Sequence, residues 1–139
     1  MSDISVFFAG NVEVKTQEDF IVSPRFKDKE GKPVPWVIQS ITEEENDVIR
    51  KSATKVTRVK GQTQSEINQT EYIAKLVVAS VAFPNLKAAE LQQSYGVLGA
   101  EALVKKMLLS GEYAQLIMKV QEINGFDRDM NELVEDAKN

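Results

Sequence analysis

Apolar residues recur at spacings of three and four through most of residues 72–126, and glycines or a proline interrupt them at short intervals. This pattern predicts packed helices with tight connections. Tyr72, Ile73, Leu76, Val77, Ser80 and Phe83 outline one helix. Val78, Ala79 and Val81 fill its other faces, so it is expected at the centre of the core, with Pro84 ending it. A second helix is predicted over 87–95, with Ala88, Leu91 and Tyr95 inward and Gly96 at its C′ position. Gly99 opens a third helix over 100–109, and Gly111 is read as its separator from a fourth over 112–124. Tyr113, Leu116, Ile117, Val120 and Ile123 form that last helix's stripe, and Gly125 suits its C′ position.

Upstream the period changes to two. Phe20, Ile21, Val22 and Phe26 predict one strand, and residues 34–41 predict another, with Trp36, Ile38 and Ser40 on one face. The charged, glycine-containing stretch 27–33 is the turn of this β-hairpin, and Pro24 marks an edge or a bulge. Thr42 and Glu45 have capping-box spacing, with three carboxylates in the first turn. The helix they open is expected to reach about Val56, with Val48, Ile49, Ser52, Ala53 and Val56 inward. The polar stretch 61–68 is predicted as a flexible loop. At the start, Val6, Phe7, Phe8 and Ala9 predict a short helix or peripheral strand folded back on the domain. Left exposed, the phenylalanines would be a docking handle.

The fold class is therefore α+β, predominantly α-helical. An N-terminal hairpin region (1–41) precedes a compact bundle of about five or six helices (42–126) and an acidic C-terminal helix or tail (127–139). In that tail Asp129 and Glu132 have capping spacing, but a short helix with five acidic and two basic residues is marginal alone. A chain of 139 residues fits one domain able to bury roughly two-thirds of its unfolded surface.

Charge and composition narrow the function. The net charge is −4, and residues 61–139 account for all of it. Arg50, Lys51, Lys55, Arg58 and Lys60 form a positive stretch, but no aromatic side chain interleaves them for base stacking, and cations complement a helix C-terminus. No nucleic-acid partner is expected. The absence of cysteine and histidine removes thiol nucleophiles, imidazole bases and most zinc sites. No cofactor, metal or catalytic residue is expected. Residues 1–9 lack a signal-peptide pattern, and the longest apolar run, 76–83, is too short to span a bilayer, so the chain is expected to be soluble and intracellular with no membrane partner.

Other candidates have plain structural readings. Glu43, Glu44, Glu45 and Asp47 sit on an exposed first turn rather than in a dry cleft. The stretch 127–132 fails the calcium-loop pattern because Glu132 stands where glycine is required. Gly96 and Gly99 break helices rather than cradle a phosphate. Tyr72, Tyr95 and Tyr113 belong to packed faces. Leu103, Met107, Leu108 and Leu109, with Val97 and Leu98, are more apolar than one short helix must bury. They are expected to include a client or self-association surface; the alternative is that all are core.

Three strings carry more information than composition: RFKDKEGKPVPWVIQSITEEEN, YIAKLVVASVAFPNLKAAELQQSYGVLGAEALVKKML and GEYAQLIMKVQEINGFDRDMNELVEDAKN. They resemble the XkdN-like tail assembly chaperones of phages and prophages of Gram-positive bacteria. The likeness spans residues 25–139; residues 1–22 match it less clearly. It implies a non-catalytic role in tail morphogenesis, in the cytoplasm of the bacterial host and outside the mature virion. The implied partners are the tape measure protein, whose apolar helices would be kept soluble, and tail tube subunits. The resemblance also implies a longer form made by a −1 ribosomal slip, and Ala137-Lys138-Asn139 can be encoded with a slippery heptamer. Rival readings are a structural tail or head–tail joining protein and a small nucleic-acid-binding regulator using residues 50–60.

Overall fold

Alternation at Trp36, Ile38 and Ser40 puts three side chains on one buried face, and that strand becomes the centre of a sheet. In the computed structural model, which describes residues 3–13 and 15–126, β1 (Gln17–Phe20), β2 (Trp36–Gln39) and β5 (Val81–Phe83) form a three-stranded antiparallel sheet in the order β1-β2-β5. Phe20 pairs with Trp36 and Gln17 with Gln39. The hairpin is as expected, but its first strand lies earlier than predicted. The chain bends after Phe20, and Ser23 is buried there, its hydroxyl accepting the Arg25 N–H at 3.1 Å. Pro24 thus lies in a turn rather than on a strand. Val22 and Phe26 still reach the core, and Phe26 lies 5.8 Å from the Trp36 ring. Lys27 bridges to Pro33, closing the charged turn.

The capping box at Thr42 and Glu45 forms, and it starts α1 (Glu43–Ser52). This helix stops short of the expected Val56. From Thr54 the chain is rich in β-branched residues (Thr54, Val56, Thr57 and Val59), and it becomes β3 (Thr54–Val59). The predicted loop is also a strand, β4 (Gln62–Ile67), paired with β3 from Thr54↔Ile67 to Val59↔Gln62. Lys60 and Gly61 make the turn, both with positive φ (53° and 79°), the conformation a two-residue hairpin of this twist requires. The result is a two-stranded arm, exposed along nearly its whole length.

Helix α2 (Gln69–Ser80) is central, packing against α1, α4 (Ala100–Met107) and α5 (Ser110–Ile123). It ends before Phe83 because Val81–Phe83 satisfies the free edge of β2 instead, and Phe83 points to solvent. α3 (Ala89–Ser94) stops at Gly96, whose positive φ lets its N–H bond Gln93 O and the Val97 N–H bond Gln92 O. Gly111 does not separate two helices. It sits in the first turn of α5, and the break falls at Leu108 and Leu109, which are extended. The stripe on α5 is as predicted, with Leu116 and Val120 fully buried. The acidic segment 127–139, with its Asp129–Glu132 pair, lies outside the described residues.

Polar groups lock the corners. Tyr72 donates its hydroxyl to the buried Asn46 Oδ1 at 2.7 Å, joining α2 to α1. Asn124 ends α5 by accepting the Ile41 N–H at 2.7 Å and donating to Ser80 Oγ at 3.1 Å. Among the described residues no buried side-chain nitrogen or oxygen lacks a partner.

Candidate partner-binding surfaces

The acidic first turn of α1 is structural. Glu45 accepts the Thr42 N–H, and that bond lowers its pKa, with Lys15 adding to the effect. Glu43 and Asp47 both pair with Arg50, and Asp47 also with Lys51. No group of carboxylates among the described residues is arranged to hold a metal ion. None of their helices is long and apolar enough to cross a membrane.

Among the described residues the most perturbed carboxylate, Glu112, is also a fastener. Glu112 sits at the start of α5, where it accepts the Leu109 N–H at 2.9 Å and pairs with Arg25 at 2.5 Å. Arg25 in turn donates to Met107 O at 3.0 Å. The loop after β1 is thereby tied to the α4–α5 corner. The Arg25 guanidinium, then the Ser23 hydroxyl and the Leu109 N–H, hold Glu112 down from the ordinary 4.5 to about 2. A depressed carboxylate stabilises the fold fully above its unfolded pKa, and that contribution is lost as pH falls through the folded value. Glu112→Gln is therefore expected to lower the unfolding midpoint at pH 7. The gap to the wild type should narrow below pH ~4.5 and close near pH ~2. Thermal melts across that range would check it, and a constant gap would refute the assignment.

The apolar residues read as a client surface divide sharply. Leu103 is 0% exposed, and Met107 and Leu108 are buried with it in the main core. Helix α4 is short, but it packs on α2 and its apolar side joins a core cluster that also holds Ile38 of β2 and Leu116 and Val120 of α5, so it buries more than its length alone suggests. These three are corrections to the sequence reading, since none is available to a partner in this conformation. Val97 is half-buried against the same core. Leu98, in the glycine-flanked connection, is 92% exposed.

The start of the chain was expected to fold back, and it does not. Two 3-10 turns, Ile4–Phe7 and Ala9–Asn11, are held by their own polar groups. Asp3 accepts the Ser5 N–H at 2.9 Å, which lowers the Asp3 pKa. Asn11 donates its side-chain amide to Ser5 O at 2.8 Å, and its N–H bonds Phe8 O. With polar groups satisfied locally, the apolar side chains face out: Ile4, Val6, Phe7 (73% exposed), Phe8 and Val12. The sequence held the signal in four consecutive apolar residues with no matching stripe nearby.

Two of the surface recesses border α2. A cleft of about 520 Å³ between α1, α2 and β5 has mixed walls, with Val48, Val78 and Ala82 beside Lys75, Lys87 and Glu101. A smaller recess of about 290 Å³ between α2, α4 and α5 is lined by Ile73, Tyr113 and Ile117 with the stems of Gln69 and Lys105. In the larger one Lys75 pairs with Glu101 and Gln39 donates to Ala79 O, so part of its polar lining is already partnered within the fold. The arm β3–β4 stands apart from both.

Known proteins share this design. The family described as phage XkdN-like tail assembly chaperone protein matches residues 4–138, so the apolar start lies inside the matched region. The chain is 37% identical to the protein YqbN of Bacillus subtilis (strain 168), over 99% of this chain and 93% of that one. It is 31% identical to the phage-like element PBSX protein XkdN of the same organism, over 99% and 94%. A crystal structure of YqbN superposes with a TM-score of 0.78 at 30% identity, covering 90% of this chain and 98% of that chain.

Proposed function

The chain belongs to the XkdN-like family of phage tail assembly chaperones, and we propose that it acts without catalysis by binding the tape measure protein and helping to recruit tail tube subunits. The observation that supports this most directly is the outward-facing apolar start of the chain, Ile4, Val6, Phe7 and Phe8. A chaperone for long apolar helices needs reusable apolar surface that its own core does not consume. Here the core closes around Leu103, Leu116 and Ile38, while the phenylalanines stay outside it. Contiguous exposed apolar side chains mark interaction sites, and an amphipathic client helix fits such a surface. Leu98 and Val97 offer a second contact on the α3–α4 connection.

The role places the protein in the host cytoplasm during assembly and outside the finished particle. Co-expression tests it. The tape measure protein of the same phage should partition to the soluble fraction with this chain and to the pellet without it. Purified particles should lack the chain. Recovery of the chain at fixed copy number in particles would favour a structural tail protein instead.

A further inference from the structure

We propose that the outer edge of β3 is a docking site for an extended, acidic segment of a partner protein, which adds to the arm as a third strand. The inference is independent of the client-binding reading above, since no residue of the arm belongs to that surface. β3 and β4 form a two-stranded sheet, so the outer edge of β3 presents unpaired backbone N–H and C=O groups. Every residue from Lys55 to Val59 is exposed, so this edge is open to solvent. A two-stranded ribbon alone is marginal in water, and a third strand is the usual remedy. Peptide recognition by strand addition uses such an edge: main-chain bonds hold the segment, and side chains select it.

Charge selects the edge and the occupant. The arm carries Lys55, Arg58 and Lys60 against the single carboxylate of Glu66, in a chain of net charge −4. The cations lie on β3 and its turn, whereas Gln62, Thr63, Gln64 and Ser65 on β4 are uncharged. Lys55 stands opposite Glu66 in the ribbon, and Arg58 stands opposite Thr63, with no acid facing it. None of the three cations makes an ion pair within 4.0 Å among the described residues, unlike Arg50 and Lys51 at the arm's root.

The alternation of β3 specifies the incoming strand further. Lys55 and Val59 lie on one face, and Val56 and Arg58 on the other. Each face therefore offers one cation and one valine. A strand with carboxylates three residues apart and β-branched residues between them matches both faces at once. Opposite charges and apolar pairs facing across strands are the stabilising unit of a sheet. Two copies of this edge would repel each other. The cations divide between two faces and no aromatic side chain interleaves them, which disfavours a nucleic acid.

A labelled, end-capped peptide Thr-Glu-Val-Thr-Glu-Val-Thr tests the site on the full-length protein by fluorescence anisotropy. It should bind, and it should slow hydrogen exchange at the β3 amides. Proline in place of the central threonine removes a ladder donor and leaves the charge unchanged, so it should weaken binding about tenfold. Lys55→Glu/Arg58→Glu should also weaken binding of the acidic peptide by about tenfold. The same variant should gain binding of Thr-Lys-Val-Thr-Lys-Val-Thr, which keeps the test decisive by showing that its arm is folded. Binding indifferent to the proline would be charge attraction without strand addition, and would overturn the proposal. So would binding indifferent to the double substitution, or no binding of the acidic peptide. A sedimentation coefficient that rises with concentration in the wild type but not in Lys55→Glu/Arg58→Glu would make the occupant a second copy instead. Double-stranded DNA retention that falls steeply with salt and disappears in that variant would make the arm a nucleic-acid element; either result rejects an acidic polypeptide.

Discussion

Phe7→Ser/Phe8→Ser is expected to abolish solubilisation of the tape measure protein while leaving the chaperone's own melting temperature unchanged. The two rings are exposed in the free protein, so serine removes nothing that the fold depends on. Surface substitutions of that kind shift stability by no more than about 0.5 kcal/mol. In the complex each ring would be buried, and burying a phenylalanine is worth roughly 1.5–3 kcal/mol. Losing both should weaken client binding by on the order of 100-fold or more. The backbone of the segment should persist, since Asp3, Ser5 and Asn11 hold it through bonds that do not involve the rings. Pull-down of the tape measure protein with wild-type and doubly substituted chaperone gives the answer. Undiminished capture would move the client site to Leu98 or to one of the recesses. A collapsed melting temperature would show instead that the segment folds back on the body in solution.

Much of the fold was legible from periodicity, and the misses share a cause. Where a helix or strand faces a thick core, the apolar pattern is dense and its type is plain, as for the α5 stripe or for Trp36 and Ile38 on β2. The capping box at Thr42 and the C′ glycines Gly96 and Gly125 were equally readable, because each solves a local backbone problem visible in the sequence. The arm was missed because neither of its faces is buried, so no hydrophobic alternation announces it. Its signal was the β-branched series Thr54, Val56, Thr57 and Val59 ahead of Lys60-Gly61. Helix α2 was extended too far because Val81 and Phe83 continue its apolar character, and only the free edge of β2, a tertiary partner, turns them into a strand. The candidate surface failed in the same way on α4. Amphipathic excess was counted against the helix's length, whereas what matters is how many elements enclose it. Leu98 survives as a surface residue because Gly96 and Gly99, both at positive φ, carry it out of the helices.

The burial of Leu103 on α4 predicts a large stability effect. Leu103 is among the largest fully buried side chains, at the centre of a cluster contributed by the sheet and the helices. Leu103→Ala removes its transfer free energy and leaves a cavity that rigid neighbours cannot fill, a combined cost of about 3–5 kcal/mol. Against a typical stability of roughly 5–15 kcal/mol, that takes a large share of the total. Leu98→Ala, a few residues upstream and solvent-facing, is expected to stay within about 0.5 kcal/mol of the wild type. Urea denaturation of both variants separates the roles: a midpoint lowered substantially at similar slope for Leu103→Ala, and an unmoved midpoint for Leu98→Ala. The pair also decides how any client-binding defect on this element is read. Loss of capture in Leu103→Ala, or on truncating the buried Met107, reports a loosened body. Loss in Leu98→Ala, with its midpoint intact, reports a contact. An unperturbed midpoint in Leu103→Ala would mean that α4 stands away from the body in solution, and that its apolar side is free to meet a partner after all.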